Sequence, residues 1–430
     1  MKFAPLAALA LLASPVAAQT SEPEMPVTQA EQSPTIEQRA EDVVRLLNGQ
    51  AEASAIFTEG FLAAVPPAQL EGLVKQLTGQ FGAAVGVESV TPPTGTRAAL
   101  AIRMERAIAK GGIAIDPAQG GKISELLFQT FEPIGDSPAK IKADLEALPG
   151  DVSAFFGPVD GAADTLSLQP EEQMPLGSTM KLYVLAALGR EIARGKRAWS
   201  DIVTLDAKSF PSGQMQDWPT GAPVTLHTLA SLMISVSDNT ATDALITLLG
   251  REAVLAVLAD SGHADPARNA PWMTTRDLFL LKGGNPDRLA TYQKAATDVR
   301  SQILAGIEAK PVASADIQRA FSGGPIAIDV EWFASARDLA KLVQLMRRQC
   351  DPQVFEIMAI SPAVPSNIRD KWEYIGYKGG SEPGVLNLTW VLRDAQGGDR
   401  LLTLSWANSK SNLNKTRLDL IAQRILSLPQ

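Results

Sequence analysis

Cysteine is nearly missing from this chain: Cys350 is the only one in 430 residues. No intramolecular disulfide can form, and no cysteine-rich metal site can be assembled. A single thiol after "MRRQ" on a helical pattern reads as a packing residue. Histidine is almost as scarce, with His227 at a helix start in "VTLHTLASLMI" and His263 in the loop "SGHADP". Neither has a supporting constellation. The chain also lacks H-E-x-x-H and G-x-S-x-G, which removes the motifs of zinc hydrolases and of the strand-to-helix nucleophile elbow.

Basic runs are missing as well. The net charge is -8 with acids and bases interspersed, so no nucleic-acid partner is expected. Beyond the first residues no stretch approaches the roughly 20 apolar residues of a transmembrane helix, and no integral membrane segment is expected in a mature chain.

What is present begins with "MKFAPLAALALLASPVAAQT", one early lysine and a short apolar stretch with small residues at Val16 and Ala18. It reads as a signal peptide over 1–18, cut after Ala18, and so as a periplasmic or secreted protein; an uncleaved anchor is the alternative. Residues 19–36 are polar, carry prolines and have no period, as a flexible tether would. The length favours two domains. From 37 to about 81 the apolar spacing is helical, and then "AAVGVESV", "TRAALAIRMERA", "GGIAIDPA" and "GKISELLFQTFEPI" read as strands, giving a small α+β domain over 37–134. "PIGDSPAK", 133–140, reads as a linker. The second domain, 140–430, opens with the helical "KIKADLEAL" and the strand "DVSAFFG", is mostly helical in its middle, and returns to strands in "KWEYIGYKGG", "VLNLTWVLRDA" and "DRLLTLSWANS" before a last helix. The last two strands join through "QGG" as a hairpin.

Nucleophile chemistry then rests on lysine. In "PLGSTMKLYVLAALG" Ser178 stands three residues ahead of Lys181 at the start of an apolar helix. Residues three apart share a helix face, so the hydroxyl and the amine can come within hydrogen-bond reach, and a desolvated lysine can act as base. The helix start offers unpaired amides to an oxyanion. "SPAK" repeats the spacing at Ser137 and Lys140, but with a proline and in the linker. "SDN" at 237–239 lies between two helical runs, where Ser237 can relay a proton and Asn239 can hold a substrate amide; alone, the tripeptide is also a common helix cap. "KGG" occurs three times: Lys110 lies in a glycine turn, Lys282 ends a helix, and Lys378 sits on a strand.

In order, "STMK", "SDN" and the strand-borne "KGG" resemble the S-x-x-K, S-D-N and K-T-G motifs of the penicillin-recognising serine hydrolases, and most of all the class A β-lactamases and their serine-hydrolase relatives. The resemblance covers about 140–430. It implies an α+β fold: a five-stranded antiparallel sheet with flanking helices beside a helical lobe, the cleft between them. It implies Ser178 as the acylated nucleophile, Lys181 as its base, Ser237 and Lys378 as proton and charge partners, and Asn239, Gly380 and Ser381 as substrate-binding residues, with the amides of Ser178 and Ser381 forming the oxyanion hole. The implied partner is a small-molecule β-lactam or a peptidoglycan-derived peptide, with no cofactor and no metal. The first domain is similar to small NTF2-like modules.

Two departures stand out. Gly379 replaces the hydroxyl residue of the third motif, for which Ser381 is the substitute. No glutamate after Asn239 is followed by Leu and Asn as in E-x-x-L-N, the motif whose glutamate activates the deacylating water. Trp272, Asp277 and Glu331 are polar or aromatic candidates in that long segment, each read as helix capping or core packing. A D-alanyl-D-alanine-type peptidase or esterase, and a non-catalytic binding or sensing domain, remain as alternative functions.

Overall fold

The computed structural model describes residues 33–161, 163–308 and 321–428. The expected signal peptide and most of the tether lie outside the described residues. The chain divides into two compact units that part between Asp136 and Ser137.

In the first unit, a helix over Ile36–Leu47 is opened by Thr35, which accepts from the Gln38 amide while the Gln38 side chain accepts from the Thr35 amide. Such reciprocal capping satisfies two amides that have no partner inside the helix. Ile36 is buried, so the last residues assigned to the tether belong to this helix instead. Helices over Glu59–Ala64 and Pro67–Phe81 follow, then an antiparallel meander of β1 (Ala84–Thr91), β2 (Arg97–Met104), β3 (Ala107–Asp116) and β4 (Lys122–Pro133), paired in that order. Ile36, Val43 and Leu47 pack with Leu100, Ile102 and Ile113, which makes a helix-on-sheet core. A register shift at Lys110/Gly111 brings the Leu127 carbonyl to 1.7 Å from where a Cβ on Gly111 would lie, so glycine is required there.

The second unit opens with the helix Pro138–Glu146, whose N-cap is Ser137, accepting from the Lys140 amide at 3.2 Å. The second S-x-x-K is therefore a helix cap and its residues are structured, where the sequence suggested a linker. Then come β5 (Asp151–Pro158), β6 (Leu166–Leu168), the short β7 (Met174–Pro175), a ribbon of β8 (Ile202–Thr204) and β9 (Pro223–Thr225), the short β10 (Phe333–Ala334), and β11 (Tyr374–Glu382), β12 (Val385–Arg393) and β13 (Asp399–Ala407). The main sheet is five-stranded and antiparallel in the order β11-β12-β13-β5-β6, with β11 at an edge. One face packs on the helices Pro138–Glu146 and Lys415–Leu426, where Ile141, Leu145, Leu418 and Ile425 meet Leu388, Trp390 and Leu404.

The other face meets the helical lobe, centred on the helix Lys181–Ala193, in which Leu182 to Leu188 are all buried. A fully buried leucine or valine is worth about 1.5–3 kcal/mol, so this helix is held from every side. Gly189 lets it approach Cys350: a Cβ there would lie 3.0 Å from that of Cys350. Burial pushes the Cys350 thiol up to about 12, as for a packing residue. Beneath the start of the same helix the sheet carries a closed polar ladder in which Thr389 bonds to Asn387 (2.8 Å) and Thr403 (2.9 Å), and Asn387 to Ser405 (2.8 Å). Among the described residues no helix is long and apolar enough to cross a membrane.

Candidate active site

The segment that carries Ser178 is fixed at both ends. β7 pairs with β10 through Pro175 and Phe333, the chain makes a tight 3-10 turn over Gly177–Met180, and the helix takes over at Lys181. Ser178 is half-buried at the mouth of this turn. β11 runs directly against it. A Cβ on Gly380 would stand 2.0 Å from the Leu176 carbonyl oxygen and 2.4 Å from the Ser178 amide nitrogen, and one on Gly177, whose φ is +51°, would stand 2.9 Å from the Ser381 amide nitrogen. Only glycines allow the two backbones to come this close. The amides of Ser178 and Ser381 therefore lie on neighbouring segments at the strand edge.

Lys181 is fully buried, and its Nζ lies 2.7 Å from the Ser237 carbonyl oxygen, 2.7 Å from Asn239 Oδ1 and 3.1 Å from Ser237 Oγ. Burial holds its amine down to about 7, against the opposing pull of Asp243 and Asp238. Lys378 reaches Ser237 Oγ from the other side at 3.1 Å and also donates to the Gly379 carbonyl. Burial, and after it the charge of Lys181, hold Lys378 well below its ordinary value. One serine hydroxyl thus joins two buried lysines.

Ser237 takes this position with a φ of +58°, a left-handed conformation that costs a non-glycine residue on the order of 1 kcal/mol. Asp238 holds it there. Its carboxylate accepts from the Gln214 (2.7 Å) and Met215 (2.8 Å) amides and, through its other oxygen, caps the helix Asn239–Leu249 at the Ala241 amide (2.9 Å). Asn239 is engaged at both ends, its Nδ2 donating to the Phe210 carbonyl at 3.0 Å, so a substrate contact there would use its second amide proton.

Ser178, Lys181, Ser237, Asn239, Lys378, Gly380 and Ser381 are therefore brought to one place. The expected bond between Ser178 and Lys181 is not formed: among the described residues nothing holds the Ser178 hydroxyl, and the amine's donors point to Ser237 and Asn239. Catalytic hydrogen bonds often close only around substrate. The glycine in the third motif has a local cause, because a Cβ at Gly379 would lie 2.1 Å from the Tyr377 hydroxyl, which takes up the space a hydroxyl side chain would need. Ser381 is exposed at the end of this strand.

The other candidates are accounted for by packing, with one exception. Trp272 is fully buried in the lobe core; Asp277 closes a capping box with Thr274 and pairs with Arg251 at 2.6 Å. His227 stacks edge-on against Trp199, and His263 bonds to the Phe333 carbonyl at 2.9 Å. Glu331 is the exception. It neither caps a helix nor simply fills the core: Oε2 accepts from the amides of Gly177 and Trp332, both at 3.1 Å, immediately behind the turn that carries Ser178. Lys282 is also more than the end of a helix, since it is buried 3.7 Å from Glu331 and paired with Glu382. Sequence spacing gave no sign of this trio, because its members come from three distant segments. Among the described residues no group of three or more His, Cys, Asp or Glu side chains is placed to hold a metal ion.

Sheet, lobe and motif order define a domain of the serine β-lactamase and penicillin-binding-protein type. Residues 138–425 match the Beta-lactamase enzyme family, and the chain belongs to that family. Among solved structures it is similar to a beta-lactamase from Sphaerobacter thermophilus DSM 20745 at 23% identity (TM-score 0.48; 67% of this chain, 93% of that one). PBP-A is similar at 17% identity (TM-score 0.45; 67% and 92%). A beta-lactamase from Chitinophaga pinensis DSM 2588 is similar at 14% (TM-score 0.46; 67% and 96%). No curated protein matches the chain.

Proposed function

We propose that this protein is an exported serine hydrolase that acts through an acyl-enzyme on Ser178, with a β-lactam or a related amide or ester as substrate. The observation that carries the reading is the buried Lys181–Ser237–Lys378 relay beside a half-buried serine whose backbone amide faces the strand edge. Lys181, about half of it neutral at pH 7, takes the Ser178 proton as Oγ attacks the carbonyl. The amides of Ser178 and Ser381 receive the oxyanion. Ser237, between the two lysines, passes a proton to the leaving nitrogen, and the tetrahedral intermediate collapses to the ester.

The second half of the cycle favours a second reading. Asp277 accepts at its cap and from Arg251 through one oxygen, and Glu331 from two backbone amides through one oxygen, so neither carboxylate reproduces the absent E-x-x-L-N arrangement. Slow hydrolysis of a penicilloyl ester fits a D-Ala-D-Ala-type peptidase or a penicillin-binding sensor as well as it fits a weak β-lactamase. Labelling with a fluorophosphonate tests the common step: the wild type is modified once, Ser178→Ala is not, and persistent labelling of that variant overturns the assignment. Export rests on the N-terminal sequence, and N-terminal sequencing of the mature protein tests it. A chain that still begins at Met1 would contradict cleavage after Ala18. An NTF2-like identity for the first unit is likewise proposed from its helices-then-meander order.

A further inference from the structure

The buried trio behind the nucleophile turn has no part in the steps above. Lys282, Glu331 and Glu382 come from the helix Thr275–Lys282, the segment before β10 and the end of β11, and their side chains are almost free of solvent. Two carboxyls and one ammonium cannot all be charged there at low cost. Lys282 faces both carboxyls, 3.7 Å from Glu331 and paired with Glu382, so charge balance in this buried space calls for one proton shared between the two. Lys282 then balances the single remaining negative charge.

The position of the trio matters more than its charge. Glu331 holds the amide of Gly177, the residue before Ser178, and Glu382 follows Ser381. Lys282 ties the two carboxyls together, so the trio links the two segments whose amides face the oxyanion. We propose that Lys282, Glu331 and Glu382 are positioning residues that hold the oxyanion hole in register, and that loss of their shared proton sets the alkaline limit of acylation. The inference rests on the acyl-enzyme reading above.

When the shared proton leaves, an uncompensated negative charge appears behind amides that must stabilise a developing negative charge, and the two carboxylates repel each other and part. Burial, opposed by Lys282 and reinforced by the charge of Glu331, pushes Glu382 up to about 8, which places this event in an accessible range. Burial likewise raises Glu331, against the pull of Lys282 and of the Trp332 and Gly177 amides. Glu331 also lines a cavity of about 30 Å³ with Arg268, Arg300 and Asp329, the other charged groups on that side, and its Oε1 makes no hydrogen bond within the protein. A space of that size admits about one water, a route for the proton to exchange.

The test is the second-order rate of Ser178 phosphonylation by a fluorophosphonate on the full chain, from pH 5.5 to 10, with circular dichroism to confirm folding. The wild type is expected to rise through about pH 7 as Lys181 loses its proton and to fall near pH 8. Glu382→Gln, neutral at every pH, is expected to lose the fall. Glu331→Ala is expected to slow the optimum by about 10- to 100-fold, less than the loss of an oxyanion donor itself, and Glu331→Gln, which still accepts from Gly177, to restore most of it. A purely structural trio would change the fraction of folded protein and leave the limb in place. An alkaline limb that is unchanged in both Gln variants overturns the inference alone; a wild type that is never labelled at Ser178 overturns the acyl-enzyme reading and this inference with it.

Discussion

Acylation should be governed by the proton on Lys181, and Asn239→Asp is the sharpest way to show it. At the ordinary lysine value of 10.5 only about one amine in 3000 is neutral at pH 7; at about 7 roughly half are, so burial supplies on the order of a thousandfold more base. Asn239 Oδ1 lies 2.7 Å from Nζ. An aspartate there keeps the outline, gives up the Nδ2 donation to the Phe210 carbonyl and sets a carboxylate against the amine, and an opposite charge at that distance raises a lysine by about 1–3 units. The neutral fraction at pH 7 then falls, slowing acylation by about 5- to 500-fold. The deficit should shrink as pH rises, because the amine still loses its proton, only later. Stopped-flow acylation of both proteins from pH 6 to 10, expressed as the wild-type to variant ratio at each pH, reads this directly. A ratio that stays constant across pH would mean that Asn239 acts through substrate contact or packing, and would refute the reasoning.

Other consequences are simpler. Gly379→Thr should destabilise the domain by about 1–3 kcal/mol, because its Cβ runs into the Tyr377 hydroxyl, and the double variant with Tyr377→Leu should recover part of the loss in thermal melts; equal melting of Gly379→Thr and wild type would contradict the clash. Gly380→Ala should abolish fluorophosphonate labelling while the protein stays folded, since the methyl group would enter the space between the strand and the Ser178 amide. Ser137→Ala should leave acylation unchanged and cost about 1 kcal/mol of stability as a lost helix cap. A fragment beginning at Asp136, which keeps that cap, is expected to retain acylation; a folded but inactive fragment would show that the first unit contributes to the site.

The parts of this site that lie close together in sequence were legible there. Ser178 and Lys181 are one helical turn apart at the start of an apolar run, and Ser237 and Asn239 flank a capping aspartate, so local geometry already constrains them. The strands around Lys378 showed their alternation and their glycines. What could not be read depends on segments that meet only in three dimensions. Lys282 looked like an ordinary helix end and Glu331 like a packing or capping residue, because nothing local marks two carboxyls and an ammonium converging from 282, 331 and 382. The reason for Gly379 was hidden for another reason: Tyr377 lies two residues away on the same strand face, but whether its hydroxyl folds over position 379 is a question of rotamer, which spacing does not decide.

The central claim is that Ser178 forms an ester that the protein lacks the base to clear quickly. Intact-mass measurement of the full chain with one classical penicillin, followed from seconds to hours with peptide mapping of the adduct, tests it most directly. The account predicts rapid gain of one penicillin mass on the peptide carrying Ser178, a burst near one equivalent and slow loss, since a general base is typically worth about 10² to 10⁴ in rate. Rapid turnover with no accumulating adduct, abolished by Glu331→Gln or Asp277→Asn, or an adduct on any other residue, would contradict it.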